Sequence, residues 1–296
     1  MYDVAPFQGV GLSSGVTPRP VGTLVDRALA FLNEGPADSL TLAVHVLGVP
    51  QATETIADRL AAALLAADPR VTRRADSRWE LVRSSTKDIS LSQCAFAVVD
   101  VETTGMSPRS GDRVIEVAVA VRHGDEVELV FDSLIDPKRS IPEMITGITN
   151  ISHDMVVGKP TFEDVAGDLL DELTGRVFVA HNVKFDWSFV SSELRRARDV
   201  ELDGPKLCTV RLSQKLLPAL KSKNLDSVSR YFGVDIEGRH RAAGDAIATA
   251  KILGHLFDLA EDQGITTLDG LIDLTRPQNG QKKKKRRAAP HSTDQA

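Results

Sequence analysis

Asp100 and Glu102 stand two residues apart at the end of an almost unbroken apolar run, residues 95–101. Side chains alternate along an extended strand, so both carboxylates face one side and Val101 faces the other. Two like charges ending a hydrophobic strand repel each other, and burying them is costly. Cations remove both problems, and hard oxygen donors suit Mg²⁺ or Mn²⁺. A strand end that simply meets solvent would look the same, so the pair alone does not decide.

Two further acids occupy comparable places. Asp186 ends His181-Asn182-Val183-Lys184-Phe185-Asp186, directly after the apolar run 177–180. Asp245 follows His240 by five residues, at the head of the last long helical pattern. Singly, each is a first-turn carboxylate favoured by the helix dipole, and His240 is a surface histidine. Together, four acids and one histidine at element ends point to a cation-assisted reaction centre.

The elements that must position these residues follow from hydrophobic period. Residues 95–101, 113–121 and 126–135 read as three strands, with 122–125 as a hairpin turn. Helical spacing follows at 162–172, 185–198, 212–216, 225–232 and 244–259, with short strands at 177–180 and 206–210. A strand meander followed by alternating helices and strands predicts an α/β fold with a mixed sheet. Residues 94–274 form this main domain. Ahead of it, residues 21–82 predict three helices and a β-hairpin, a small winged-helix-like N-terminal domain with Arg70, Arg73, Arg74 and Arg78 on or beside the wing. Residues 1–20 read as a disordered lead, 83–93 as a polar linker and 275–296 as a basic disordered tail carrying the run Lys282 to Arg287.

On these residues the chain resembles the DEDDh exonucleases of the RNase H-like superfamily. Phe96-Ala97-Val98-Val99-Asp100-Val101-Glu102-Thr103-Thr104-Gly105 is similar to the family's first motif, the segment 181–186 to its second, and His240 with Asp245 to its third. Gly147-Ile148-Thr149 and Lys159-Pro160-Thr161-Phe162 match segments usual in the family. The likeness is close to the epsilon proofreading subunits of bacterial DNA polymerase III. It implies an RNase H-like mixed sheet flanked by helices and a 3′→5′ exonuclease releasing 5′-mononucleotides. Asp100, Glu102, Asp186 and Asp245 would ligate two divalent cations, Mg²⁺ or Mn²⁺, and His240 would be the general base. It further implies that the backbone at Thr103 and Thr104 contacts the terminal nucleotide. Asn182 and Phe185 are expected to shape the pocket, although packing explains them equally well. His181 is expected to be structural, while His45, His123, His153, His255 and His291 match no motif.

The implied substrate is single-stranded DNA 3′ ends, in proofreading or repair, with a polymerase or repair complex as partner. RNA or short oligonucleotides are the alternative, because sugar discrimination depends on pocket shape near the 2′ position. An inert nucleic-acid-binding adaptor is the alternative of another class, and the filled motif positions oppose it. A net charge of −5 would argue against a non-specific DNA binder, but bound metals invert the local charge of an acidic pocket. With aromatics at 5%, broad stacking platforms are not expected. No apolar run suits a membrane span, and Cys94 and Cys208 lack metal-site or disulfide spacing. A cytoplasmic location is expected.

Overall fold

The computed structural model describes residues 15–20, 22–32, 35–68, 70–82 and 89–276. The expected central strand is β4 (Ala95–Thr103), which lies in the middle of a five-stranded sheet. To complete chain order, the elements before it are β1 (Thr17–Pro20), α1 (Leu24–Leu32), α2 (Ser39–His45), α3 (Glu54–Leu65), β2 (Val71–Arg73) and β3 (Trp79–Leu81). After it come β5 (Val114–His123), β6 (Glu126–Leu134), α4 (Glu143–Thr149), α5 (His153–Val156), α6 (Phe162–Leu173) and β7 (Val177–Ala180). The remainder is α7 (Val183–Arg198), β8 (Val200–Asp203), β9 (Lys206–Cys208), α8 (Thr209–Leu216), α9 (Leu225–Phe232), α10 (Ala242–Glu261) and α11 (Leu268–Thr275).

The sheet order is β6-β5-β4-β7-β9. The β4–β5 and β5–β6 pairs are antiparallel, and β4–β7 and β7–β9 are parallel. Strand alternation sorts the core into two layers. Phe96 and Val98 of β4 face α8, α9, α10 and α11, whereas Ala97, Val99 and Val101 face α6 and α7. This is the expected mixed α/β architecture, with helices covering both faces because each face is apolar.

The N-terminal region has the expected three helices and hairpin. Asp38 caps α2 by accepting from the Thr41 amide at 2.7 Å, supplying a partner for an otherwise orphan donor. Leu29, Leu32, Leu42, Leu65 and Trp79 form its core. Ala37, between α1 and α2, exchanges backbone hydrogen bonds with Trp79 of β3 at 3.0 and 2.8 Å. The arginines of the hairpin pair with acids of the same region: Arg70 with Asp68, Arg73 with Asp58, Arg74 with Glu80 and Arg78 with Asp76.

Three boundaries differ from the sequence expectation. Residues 15–20 are no loose lead, since β1 pairs antiparallel with β8 and Val16 is buried in the α6–α7 side of the core. The rear of the expected linker is docked as well. Leu91 is buried in the other core layer, and its amide donates to the Thr266 carbonyl at 3.0 Å. The last helix, α11, runs on to Thr275. Residues 1–14, 83–88 and the basic run 282–287 lie outside the described residues. No helix among the described residues is long and apolar enough to cross a membrane.

Candidate active site

The site gathers at the carboxyl ends of β4 and β7, where open α/β sheets place their ligands. Asp100 and Glu102 lie on the β4 face that α10 covers. The register to β5 shifts between Glu102 and Thr103, and such a bulge bends a strand and re-aims its side chains. Asp186 enters from the first turn of α7 and Asp245 from the first turn of α10, each less than a tenth exposed. Donor atoms of Glu102, His240 and Asp245 all lie within 4.8 Å of one another. Glu102, His240 and Asp245 therefore meet in space, and Asp100 stands close enough to feel the charges of Asp186, Asp245 and Glu102.

Electrostatics agree with that crowding. Burial, reinforced by the charges of Asp186, Asp245 and Glu102, holds the Asp100 carboxyl well above its usual range. Burial and the neighbouring Asp245 and Glu116 push Glu102 up to about 8. Asp186 is pushed up by burial to about 7, and burial also raises Asp245. Carboxyls crowded this way retain protons unless a cation replaces them. One Asp245 oxygen, Oδ1, is buried with no hydrogen-bond partner. A hard, all-carboxylate donor set with an orphaned oxygen fits divalent cations.

His240 sits just ahead of α10 in the left-handed region, at φ +63°. A residue with a Cβ adopts that conformation only where its surroundings hold it. Its neighbour Arg241 provides such a hold, with Nε 2.9 Å and Nη2 2.6 Å from Glu116 Oε1 on β5. Glu116, 1% exposed, also accepts from the Ala242 amide at 2.9 Å. It thus caps α10 from across the sheet, since no side chain of the helix's own cap does so. Gly244 permits the approach: a Cβ there would lie 1.7 Å from the Glu237 carbonyl oxygen.

The remaining expected residues divide. The Thr103 hydroxyl donates to the Gly105 carbonyl at 2.6 Å, and the Thr104 hydroxyl accepts from the Arg113 amide at 3.0 Å. Both side chains are buried, so only their backbone remains to meet a nucleotide. Asn182 is exposed at the N-terminus of α7 and forms no side-chain cap. Phe185 packs on Phe189 with centroids 4.9 Å apart and leans on the core, which favours the packing account. The His181 Nδ1 lies 2.9 Å from the Thr209 hydroxyl, and burial depresses the ring to about 4. It is a neutral tie between the loop ahead of α7 and the start of α8.

Glu116, Asp226, Arg239 and Arg241 were missed by the sequence reading. A carboxylate in the middle of an apolar strand was the available signal for Glu116. Arg239 bridges Asp226 and Asp245, a relation that no spacing rule exposes.

The exonuclease family RNase_T matches residues 97–253. The chain is 33% identical over 175 residues to the DNA polymerase III subunit epsilon of Aquifex aeolicus, covering 58% of this chain and 86% of that protein. It is 36% identical over 181 residues to the 3′-5′ exonuclease DinG of Bacillus subtilis, covering 61% of this chain but only 19% of that longer protein. Exonuclease I of E. coli, solved with a dT13 oligonucleotide, superposes with a TM-score of 0.50 at 18% identity, covering 58% of this chain and 43% of that one. That structural likeness speaks for the fold. With that family model matching residues 97–253, more than half of the chain, the chain belongs to the RNase_T exonuclease family.

Proposed function

We propose that this protein is a metal-dependent 3′→5′ exonuclease that removes 5′-mononucleotides from DNA 3′ ends in the cytosol. The observation that carries the reading is the convergence of Asp100, Glu102, Asp186 and Asp245 with His240 at one end of the sheet. The names of the polymerase III epsilon and DinG relatives support the direction and the substrate. Asp100, Glu102, Asp186 and Asp245 would hold two divalent cations, Mg²⁺ or Mn²⁺. When bound, such ions lower the pKa of water and stabilise the attacking and leaving oxygens of an in-line displacement. His240 accepts the proton that the attacking water loses. Exposed Asn182 and the backbone of Thr103 and Thr104 orient the terminal nucleotide.

Residues 22–82 are read as a winged-helix-like module, supported by the order helix, Ala37 bridge, two helices and hairpin. This module and the basic run 282–287 add affinity for the phosphate backbone and take no part in the chemistry. A polymerase or repair complex is the proposed setting.

The test is a set of 3′-labelled single-stranded DNA, duplex DNA and RNA with Mg²⁺ or Mn²⁺. Single-stranded DNA is expected to yield mononucleotides, with a 3′-phosphate blocking the reaction. Asp100→Ala is expected to lower the rate by orders of magnitude. Internal cleavage of a circular single strand, or robust turnover in excess EDTA, overturns the proposal.

A further inference from the structure

The acidic end of the sheet contains a cation of the protein's own. Arg239 Nε lies 2.7 Å from Asp226 Oδ1, and its Nη1 donates to Asp245 Oδ2. The same Nη1 stands 3.4 Å from His240 Nδ1, and its charge reaches Asp100 and Glu102. Asp226 sits in the first turn of α9, half-exposed, and is not one of the four motif acids. The guanidinium is therefore anchored at two places of different kind. One anchor is a half-exposed acid outside the motif set, and the other is a buried motif acid.

A guanidinium and a divalent cation held by the same carboxylates repel each other, because both are positive and only a few ångströms separate them. Asp245 Oδ2 is engaged by Arg239, while Oδ1 is buried without a partner. A cation arriving at the open Oδ1 therefore weakens the hold of Asp245 on Nη1 by charge repulsion, while Asp226 can retain the Nε side of the fork. The displaced face then carries free donors and positive charge beside the reaction centre. A planar guanidinium in that position is suited to a phosphate.

We propose that Arg239 is a placeholder that hands over. Without metal it neutralises the acids through Asp245, and with metal it swings off Asp245 and binds a phosphate of the substrate. The inference rests on the metal-site reading given under Proposed function. It makes Arg239 a substrate-binding residue whose availability depends on the metal.

The handover predicts effects of opposite sign, which a damaged fold would not give. Mn²⁺ is titrated calorimetrically into the full-length protein without nucleic acid. Arg239→Gln is expected to bind Mn²⁺ about tenfold more tightly than the parent protein, because the guanidinium charge no longer opposes the cation. At saturating Mn²⁺ the same variant is expected to show a KM for single-stranded DNA raised about tenfold, with the lost guanidinium–phosphate contact as cause. Arg239→Lys keeps the charge but reaches only one acid at a time, so both changes are expected in the same directions and smaller. It serves as the second variant if Gln impairs folding. Unchanged or weaker Mn²⁺ binding in both variants, or an unchanged KM, overturns the handover. Failure of the parent protein to bind Mn²⁺ at all overturns the metal-site reading itself, and is distinguishable from the former result.

Discussion

At the scale of single residues, His240 has the most specific assignment. A histidine just ahead of a helix could act as a base, as a metal ligand or as a structural plug, and its position within 4.8 Å of Glu102 and Asp245 donors is compatible with each. Its left-handed backbone shows that the surroundings fix it there. The three roles separate by substitution. As the base, His240→Ala is expected to lower kcat by about 10²–10⁴-fold, the usual contribution of a positioned general base. His240→Gln, which can hydrogen-bond but cannot take up a proton near neutrality, is expected to be as poor. The acid limb of the pH–rate profile is expected to flatten in both. A structural plug would instead let Gln recover most of the activity. A ligand role would let excess Mn²⁺ restore Ala. Profiles of kcat against pH for the three proteins decide the matter.

At the scale of elements, the question is what keeps a strained histidine beside two acids from different secondary structures. The answer is a clasp between β5 and α10. Glu116 takes both the Arg241 guanidinium and the first amide of α10, so the helix start is bolted to the sheet one residue from His240. Gly244 closes the clasp from behind, letting the Glu237 carbonyl lie against the helix. Gly244→Ala is expected to push the segment 237–240 outward and lower kcat by about 10²-fold, the usual penalty for misplacing a catalytic group by an ångström. Circular dichroism is expected to remain that of the parent protein, and an unchanged kcat would show that the loop can relax without moving His240. The sequence exposed the chemistry of this region but not the clasp. His240 and Asp245 were legible because they stand at a helix head with recognisable types and spacing. Strands β4 and β5 were legible because an apolar run reports burial directly, and β6 because it follows them across a short turn. Glu116 was hidden inside a strand whose period was otherwise apolar. Its partner lies 125 residues away in the chain, and such a pairing is decided by tertiary approach. The short strands β1 and β8 were invisible for the same reason. The segment Thr17–Pro20 contains two prolines and has no apolar alternation, so only its partner makes it a strand.

At the scale of the whole molecule, that hidden pair changes what the N-terminal region is. The module 22–82 is not hung on the catalytic body by one linker. Its leading end is β1, laid along β8, with Arg19 and Asp203 2.7 Å apart. Val16, fully buried, exchanges backbone hydrogen bonds at 2.8 Å with Arg176 and Gly175. Its trailing end is held by Leu91 in the opposite core layer. A truncation that starts the chain at residue 83 would therefore remove part of the catalytic core along with the module. Burying one valine side chain contributes about 1.5–3 kcal/mol, and a domain of this size shifts its Tm by about 2–4 °C per kcal/mol. Deleting residues 1–82 is thus expected to lower the Tm of the catalytic domain by roughly 5–10 °C. Replacing only residues 22–82 with a flexible Gly/Ser linker keeps residues 15–20 available to β8. That variant is expected to melt within about 2 °C of the parent, a difference comparable to less than 1 kcal/mol. Differential scanning calorimetry of the three proteins makes the comparison. Equal melting of the two deletions would mean that β1 contributes nothing to the catalytic body. A low Tm confined to the 1–82 deletion would place the true start of the catalytic domain ahead of the module, at residue 15.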